Sequence, residues 1–229
     1  MIADPPVLRI RRHFARPSVE IVEAFRGAST GHLVDAMGGA GALDFEVKPL
    51  AGARAEFCGT VLTCDAGPAD NLALFGALAQ ARPGDVILAS TRDHRGCAVL
   101  GDLLAGMAKN RGVAAIVTDG LARDLAGLEV VGLPIHCRGV SANSPSRCGP
   151  GTVGGPIVIA GVAVASGDIA VGDRDGVVVV PLRIAAEVVA RLAGIRAAEA
   201  ELEARVKAGL TCLDSVEALL ASDRVAFVD

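Results

Sequence analysis

The sequence predicts a mixed α/β fold in a single domain, and three observations carry that expectation. Short apolar segments with β patterning alternate with segments whose apolar residues recur at helical spacing, the order of a sheet flanked by helices. The chain has 229 residues, 52% apolar and 21% charged. That is enough to bury about 70% of its unfolded surface, and too hydrophobic for a disordered chain. No linker of disordered composition and no internal repeat divides residues 1–229. With six Phe, no Tyr and no Trp, the core must be built from Ala, Val, Leu and Ile.

The elements follow in order. Residues 1–16 read as an N-terminal arm whose basic stretch RIRRHFAR (Arg9 to Arg16) is solvated, or else meets an anion or RNA. Pro17-Ser18 before VEIVEAFRG marks a capped helix, and Thr30 before GHLVDAMG a second one, closed by Gly38-Gly39. After Pro49 the pattern turns to β in EFCGTVLTC (Glu56 to Cys64). DNLALFGALAQA (Asp70 to Ala81) puts Leu72, Phe75 and Leu78 at helical spacing and stops at Arg82-Pro83-Gly84-Asp85. DVILAS (Asp85 to Ser90) is a short strand, and CAVLGDLLAGMAKNRG (Cys97 to Gly112) contains a helix that ends at its glycine. VAAIVTD (Val113 to Asp119) is nearly all apolar, as a strand covered on both faces should be. PIHCRG (Pro134 to Gly139) is another strand, and the polar stretch Ser141 to Gly155 a long loop. IVIAGVAV, DIAVGD and GVVVVP are closely spaced strands suited to hairpins or a small curved sheet. Residues 184–221 read as C-terminal helices, a long one from Ile184 to Ala208 with Gly209 at its stop, then a short one from Asp214.

Charge and cysteine usage exclude several classes. The formal charge of −4 gives no general attraction to polyanions, and the lack of Tyr and Trp removes most stacking platforms for single strands, so nucleic acid is not an expected partner. Six scattered cysteines without a CxxC pair point to a reducing cytoplasm rather than a disulfide framework. MIADPPVLRIRR lacks the apolar run of a signal peptide, and no stretch is apolar enough to span a membrane. GPGTVG (Gly149 to Gly154) fits G-x-G-x-x-G but follows a polar loop and leads into a β pattern, the wrong context for a dinucleotide. His13, His32, His94 and His136 form no metal-ligand spacing and read as structural.

The informative spacing lies in Gly101-Asp102-Leu103-Leu104, Asp119-Gly120 and Arg123-Asp124. Asp102 stands in a first helical turn, where an acidic side chain suits the dipole and free N–H groups from Asp102 to Leu104 can hold a carboxylate or enolate oxygen. Arg123 offers a planar fork for a carboxylate and Asp124 a hard oxygen for Mg²⁺ or Mn²⁺. On spacing alone two readings stand: a surface Arg–Asp ion pair, or a carboxylate-plus-metal site.

These pieces, D-x20-R-D from Asp102 to Asp124, together with Thr30 to Ala36, DNLALFGALAQARPGDVILAS, PIHCRG and SGDIAVGDRDGVVVVP, resemble the RraA-like family across nearly the whole chain. That family includes metal-dependent 4-hydroxy-4-methyl-2-oxoglutarate aldolases, carboxy-hydroxy-oxoadipate aldolases and the regulator of ribonuclease E activity. The resemblance implies a swivelling β/β/α fold, a homotrimer or homohexamer, and sites at subunit interfaces. It further implies that Arg123 and the Gly101 to Leu104 backbone hold a pyruvate-like group, that Asp124 anchors the metal, and that Asp102 positions water beside it. Asn71 and Arg147 would face the distal part of the substrate, with Arg147 standing where the aldolases have a lysine-like position. Glu199, or else Glu201 or Glu203, would come from a neighbouring subunit.

The chemistry expected is divalent-metal-dependent cleavage of a 4-hydroxy-2-oxo diacid to pyruvate and a second 2-oxo acid, with oxaloacetate decarboxylation through the same pyruvate enolate. The rival imine mechanism needs a desolvated lysine, and Lys48, Lys109 and Lys207, the only three lysines, stand in a loop or near helix ends. The contrasting expectation is a regulatory binding protein of the ribonuclease E inhibitor type.

Overall fold

A computed structural model describes residues 6–50, 52 and 54–228. In chain order it forms β1 (Leu8–Ile10), α1 (Val19–Phe25), α2 (Thr30–Ala36), β2 (Lys48–Pro49), β3 (Phe57–Asp65), α3 (Leu72–Gln80) and β4 (Asp85–Ser90). β5 (Ala98–Leu100), α4 (Asp102–Asn110), β6 (Ala115–Thr118), β7 (Leu121–Ala122), α5 (Leu125–Val131) and β8 (Ile135–Cys137) follow. The C-terminal part holds β9 (Gly151–Val153), β10 (Ile157–Ile159), β11 (Val162–Val164), β12 (Ile169–Gly172), β13 (Val177–Val180), α6 (Ala185–Lys207) and α7 (Asp214–Leu220).

The main sheet runs β1-β9-β3-β4-β6-β8-β2, with the β12–β13 hairpin joined to β3. Strands β3, β4, β6 and β8 are parallel, and α3, α4 and α5 make the crossovers between them. β3 is long enough to serve three neighbours. β4 pairs along one edge from Thr60 to Asp65, while β12 takes Phe57 to Thr60 and β9 takes Cys64 and Asp65 on the other.

The pleat explains why these strands are apolar throughout. Leu62 and Cys64, Ile87 and Ala89, and Ile116 point to the α3–α4–α5 side, while Val61, Val86 and Leu88, and Val117 point to a second core beneath β10 and β11. A third core packs Phe25 and Leu33 of α1 and α2 and Val188 and Leu192 of α6 on Ile169 and Val178. Asp173, in the β12–β13 turn, accepts the Thr30 N–H and hydroxyl at 2.8 and 2.9 Å and thereby caps α2 from a distant part of the chain.

Two readings need correction. The arm over residues 1–16 is not simply solvated: residues 1–5 lie outside the described residues, but Leu8–Ile10 is an edge strand paired with Gly151–Val153. Half-buried Leu8 packs on the core while Arg9 and Ile10 are exposed, so a three-residue strand hides among arginines. The Ser141 to Gly155 loop likewise ends in β9, whose antiparallel partner β3 lies far back in the chain. All six cysteines are free, with Cys58, Cys64, Cys97 and Cys137 buried. Burial pushes the Cys58 thiol up to about 11. Among the described residues no helix is long and apolar enough to cross a membrane.

Candidate active site

A cavity of about 360 Å³ opens between the starts of α3 and α4, the β7–α5 junction and the loop after Ser141. Its lining includes Asn71, Gly101, Asp102, Leu103, Leu104, Arg123, Asp124 and Arg147, eight residues singled out in the sequence.

Each arrives by a local cause. Gly101 is extended (φ −142°, ψ −170°) and forms the N-cap of α4, so Asp102 opens the helix. The Asp102 carboxylate turns back to accept the Leu103 N–H at 2.7 Å. One of the donors expected to be free is therefore engaged, because a first-turn carboxylate satisfies an orphan N–H. Asp102 also lies against α5 at Gly127, where a Cβ would meet its Cβ and Cγ at 2.6 and 2.8 Å. The glycine is what lets the two helices approach at this point.

Arg123 and Asp124 end β7 and begin α5. The Arg123 N–H donates to the Leu100 carbonyl at 3.0 Å, which fixes this junction beside the start of α4. Asp124 is the N-cap of α5 in a left-handed conformation (φ 61°, ψ 46°). Asp tolerates that region better than most residues, and strain of this kind clusters at functional sites. A Cβ at Gly101 would be driven into Asp124 Oδ2, so this glycine too keeps room for a carboxylate. Arg123 Nε and Asp124 Oδ2 are 3.2 Å apart, with the side chains 39% and 42% exposed. The ion pair is present, but at that exposure it contributes only about 0–1 kcal/mol to stability. The Arg123 guanidinium also donates to Ser144 Oγ.

The opposite wall is Arg147. Its guanidinium lies 4.2 Å over the Phe75 ring and its Nε donates to Asn71 Oδ1 at 3.3 Å. Asn71 is buried and donates to the Val99 carbonyl at 3.2 Å. Two arginines thus enter one cavity from different walls.

Sequence reading missed the residues that hold this wall. Asp70 accepts from Leu72 N at 2.8 Å, Cys148 N at 2.6 Å, Gly149 N at 3.0 Å and Ser146 Oγ at 2.8 Å. Burial alone would raise its carboxyl, but these bonds outweigh burial and hold it below the usual carboxylate range. The Asp-Asn pair before a helical run is the signal that could have marked Asp70 as an Asx-type turn residue. Ser144 and Phe75 carried no comparable signal.

Glu199 lies outside this cavity. It stands on α6 with a side chain 59% exposed and contacts His32 Nε2. Glu201 and Glu203 lie on the same exposed half of α6, and Glu203 pairs with Lys207. His136, by contrast, is a core residue: it bonds the Asp173 carbonyl at 2.9 Å and stacks edge-on to Phe57. Burial pushes its imidazole below the usual value.

The carboxylates that could hold a hard cation here are Asp124 and Asp102. Two carboxylates lining one cavity, with Gly101 leaving the space that a methyl would fill against Asp124, suit an ion such as Mg²⁺ that keeps several waters. Among the described residues no group of three His, Cys, Asp or Glu side chains forms a closed metal cage.

The fold and the cavity define a single mixed α/β domain of the swivelling β/β/α kind with an acid- and arginine-lined site. Residues 30–179 match the family described as RraA-like, Aldolase/RraA. The chain belongs to that family. It is 35% identical over 167 residues to a Halalkalibacterium halodurans protein named provisionally as a 4-hydroxy-4-methyl-2-oxoglutarate aldolase, covering 73% of this chain and 79% of that one. Among solved structures, an uncharacterised protein of Pseudomonas syringae pv. tomato superposes with a TM-score of 0.74 at 26% identity, over 86% of this chain and 97% of the other. Streptomyces coelicolor RraAS2, described as an unusual member of the RNase ES inhibitor RraA family, superposes with a TM-score of 0.73 at 28% identity, over 84% and 99%.

Proposed function

We infer that the chain is a divalent-metal-dependent carbon–carbon lyase that cleaves 4-hydroxy-2-oxo diacids of the 4-hydroxy-4-methyl-2-oxoglutarate type and decarboxylates oxaloacetate. The observation that carries this reading is the gathering of Asp102, Arg123, Asp124 and Arg147 in one cavity, with glycines at the two places where a methyl would displace the carboxylates. Mg²⁺ or Mn²⁺ held by Asp124 would supply a Lewis acid for negative charge developing on the substrate's keto oxygen.

The chain's own groups do the rest. Arg123 binds the carboxylate of the pyruvyl half as a planar fork, with the N–H groups at the start of α4 beside it. Arg147, steadied on Phe75, meets the distal carboxylate. Asp102 orders water at the mouth of α4. As the 4-hydroxyl proton leaves to a base, its O–H pair forms the new carbonyl, the C3–C4 bond breaks, and its pair becomes the pyruvate enolate, which then takes a proton at C3. Glu199 supplies that base only in an assembly, as the partner subunit's Glu199, because within one chain it faces His32.

The test is pyruvate release, coupled to lactate dehydrogenase, over a panel of 4-hydroxy-2-oxo acids and oxaloacetate with and without Mg²⁺. Metal-dependent release is expected; none on any member sinks the reading. Light scattering should give a trimer or hexamer, and a stable monomer removes Glu199 from the site. Glu199→Gln should lose most aldol cleavage and keep more oxaloacetate decarboxylation, since that reaction has no hydroxyl proton to remove. A second reading, a regulatory binding protein, is favoured by the likeness to the RNase ES inhibitor family. A catalytically silent chain that inhibits an RNA-cleaving enzyme would support it.

A further inference from the structure

One face of α6 is an apolar stripe with a single acid in it. Val188, Leu192, Ile195, Glu199, Leu202 and Val206 follow one another at alternating steps of four and three, the spacing that keeps side chains on one face. Val188 and Leu192 are buried in the third core and Ile195 packs against it, whereas Leu202 and Val206 are exposed. Glu199 stands between the two stretches, where the helix leaves the body of the domain.

What the carboxylate meets there is His32 of α2, whose Nε2 contacts Glu199 Oε2. The other ion pairs on this half of α6 stay local among the described residues, Glu203 with Lys207 on the same helix and Arg205 with Asp214 of α7. The histidine's mount is rigid. Asp173 caps α2 at Thr30, and Leu33 and Ala36 of that helix are buried in the third core.

The ring has a direction. His32 Nδ1 is buried without a hydrogen-bond partner. A proton there would be a buried donor with nothing to accept it, so the ring proton belongs on Nε2, where a carboxylate receives it. The Glu199 side chain is still 59% exposed, which leaves its second oxygen, Oε1, open to another partner. As a purely structural contact the pair is a poor one. At that exposure it adds little stability, and it leaves a ring nitrogen buried and unpaired that a leucine would not have.

We propose that His32 is a positioning residue for the carbon–carbon cleavage: its Nε2–H holds Oε2 of Glu199 and so aims Oε1 at the neighbouring subunit's cavity, where Oε1 takes the 4-hydroxyl proton. This rests on the lyase reading and on Glu199 as its base. A free glutamate on an exposed helix face samples several rotamers, and a general base works only within hydrogen-bond reach of the proton it removes. Anchoring one oxygen to a rigid helix narrows that search. His32 itself touches no substrate.

The test is kinetic, with a spectrum beside it. His32→Leu should lower kcat for aldol cleavage about tenfold and leave KM within about twofold. Oxaloacetate decarboxylation should stay within about threefold, since it has no hydroxyl proton to remove. His32→Gln, whose amide N–H replaces Nε2–H, should recover aldol kcat to within about threefold of the parent. In a Glu199→Gln background His32→Leu should cause no further loss, as for two residues acting as one unit. Independently of activity, a long-range proton–nitrogen spectrum of the full chain at mildly alkaline pH, where an ordinary imidazole is neutral, should show the His32 ring proton on Nε2. That resonance is assigned by its loss in His32→Gln and should move in Glu199→Gln, so the contact is still read if His32→Leu fails to fold. The positioning role is overturned by a folded His32→Leu protein with unchanged aldol kcat, by losses that add to those of Glu199→Gln, or by a ring proton on Nδ1. Equal losses in both reactions would overturn it in favour of a pin for α6. A parent that releases no pyruvate from any 4-hydroxy-2-oxo acid sinks the lyase reading and this proposal together, whereas an active parent beside an unaffected His32→Leu sinks the positioning role alone.

Discussion

Alanine at a helical glycine ordinarily stabilises a protein by about 1 kcal/mol, and at Gly127 of α5 it should instead disable the site. The added Cβ would stand 2.6 Å from Asp102 Cβ and 2.8 Å from its Cγ. Carbon atoms in contact prefer about 3.5–4.0 Å, so α4 and α5 must separate by roughly 1 Å at this point, or Asp102 must leave the cavity. A displacement of that size beside reacting atoms lowers rate about a hundredfold, near 2.7 kcal/mol at 1.36 kcal/mol per decade. Overpacking costs about 1–3 kcal/mol, and the gain in helix propensity offsets part of it. Melting temperature should therefore fall by only a few degrees.

Gly106→Ala is the matched control. It lies on α4, where an added Cβ would meet only Val131 Cγ2 at 4.0 Å. It should be neutral or stabilising and should keep full activity. Both variants would be compared with the parent by pyruvate release at saturating Mg²⁺ and by thermal melting. A folded Gly127→Ala protein with kcat/KM within twofold of the parent would falsify the claim that Asp102 must rest against α5.

Three further outcomes are expected. Arg123→Lys keeps the charge and loses the fork, and should lower kcat/KM by about 30- to 1,000-fold; near-normal kinetics would return Arg123 to a surface ion pair. Chelation should abolish pyruvate release and Mg²⁺ or Mn²⁺ restore it, with Asp124→Ala resembling the chelated protein while keeping its circular dichroism; full activity after verified metal removal contradicts the metal-dependent reading. For Asp173, burial raises the carboxyl pKa, but bonds from Thr30 and Asp175 outweigh it and hold it below the ordinary 3.8. The folded state therefore resists protonation, and the stabilisation is complete above about pH 4 and lost as pH falls through the depressed value. Asp173→Asn should destabilise by about 1–2 kcal/mol in urea at pH 7, and the gap should narrow at pH 3; an equal gap at both pH values rules out the cap as its source.

What was legible in the sequence was what the chain decides locally. The strands at Asp85–Ser90 and Ala115–Thr118 could be read because both faces are buried and every residue had to be apolar or nearly so. Gly101-Asp102 and Arg123-Asp124 could be read as candidates because each pair sits where an element starts, and the Arg123 N–H bond to Leu100 joins the two starts in space. Legibility failed wherever a residue's role is set by a distant segment. Asp70 supports the Arg147 wall through Cys148 and Gly149, so nothing near it in sequence announces that role. Leu8–Ile10 is a strand only because β9 lies beside it, and its exposed arginine reads as solvated arm. Glu199 is the extreme case: α6 has no buried residue beyond Leu192, so helical periodicity tells where the carboxylate sits on its own helix and nothing of what it faces. Two glycines have a further role that the sequence reading did not give them: Gly101 was read for the backbone it offers a ligand, and Gly127 was not singled out. Gly101 and Gly127 are needed for the atoms they lack, since each leaves room for a carboxylate approaching from another helix, and such a vacancy becomes visible only when both helices are in place.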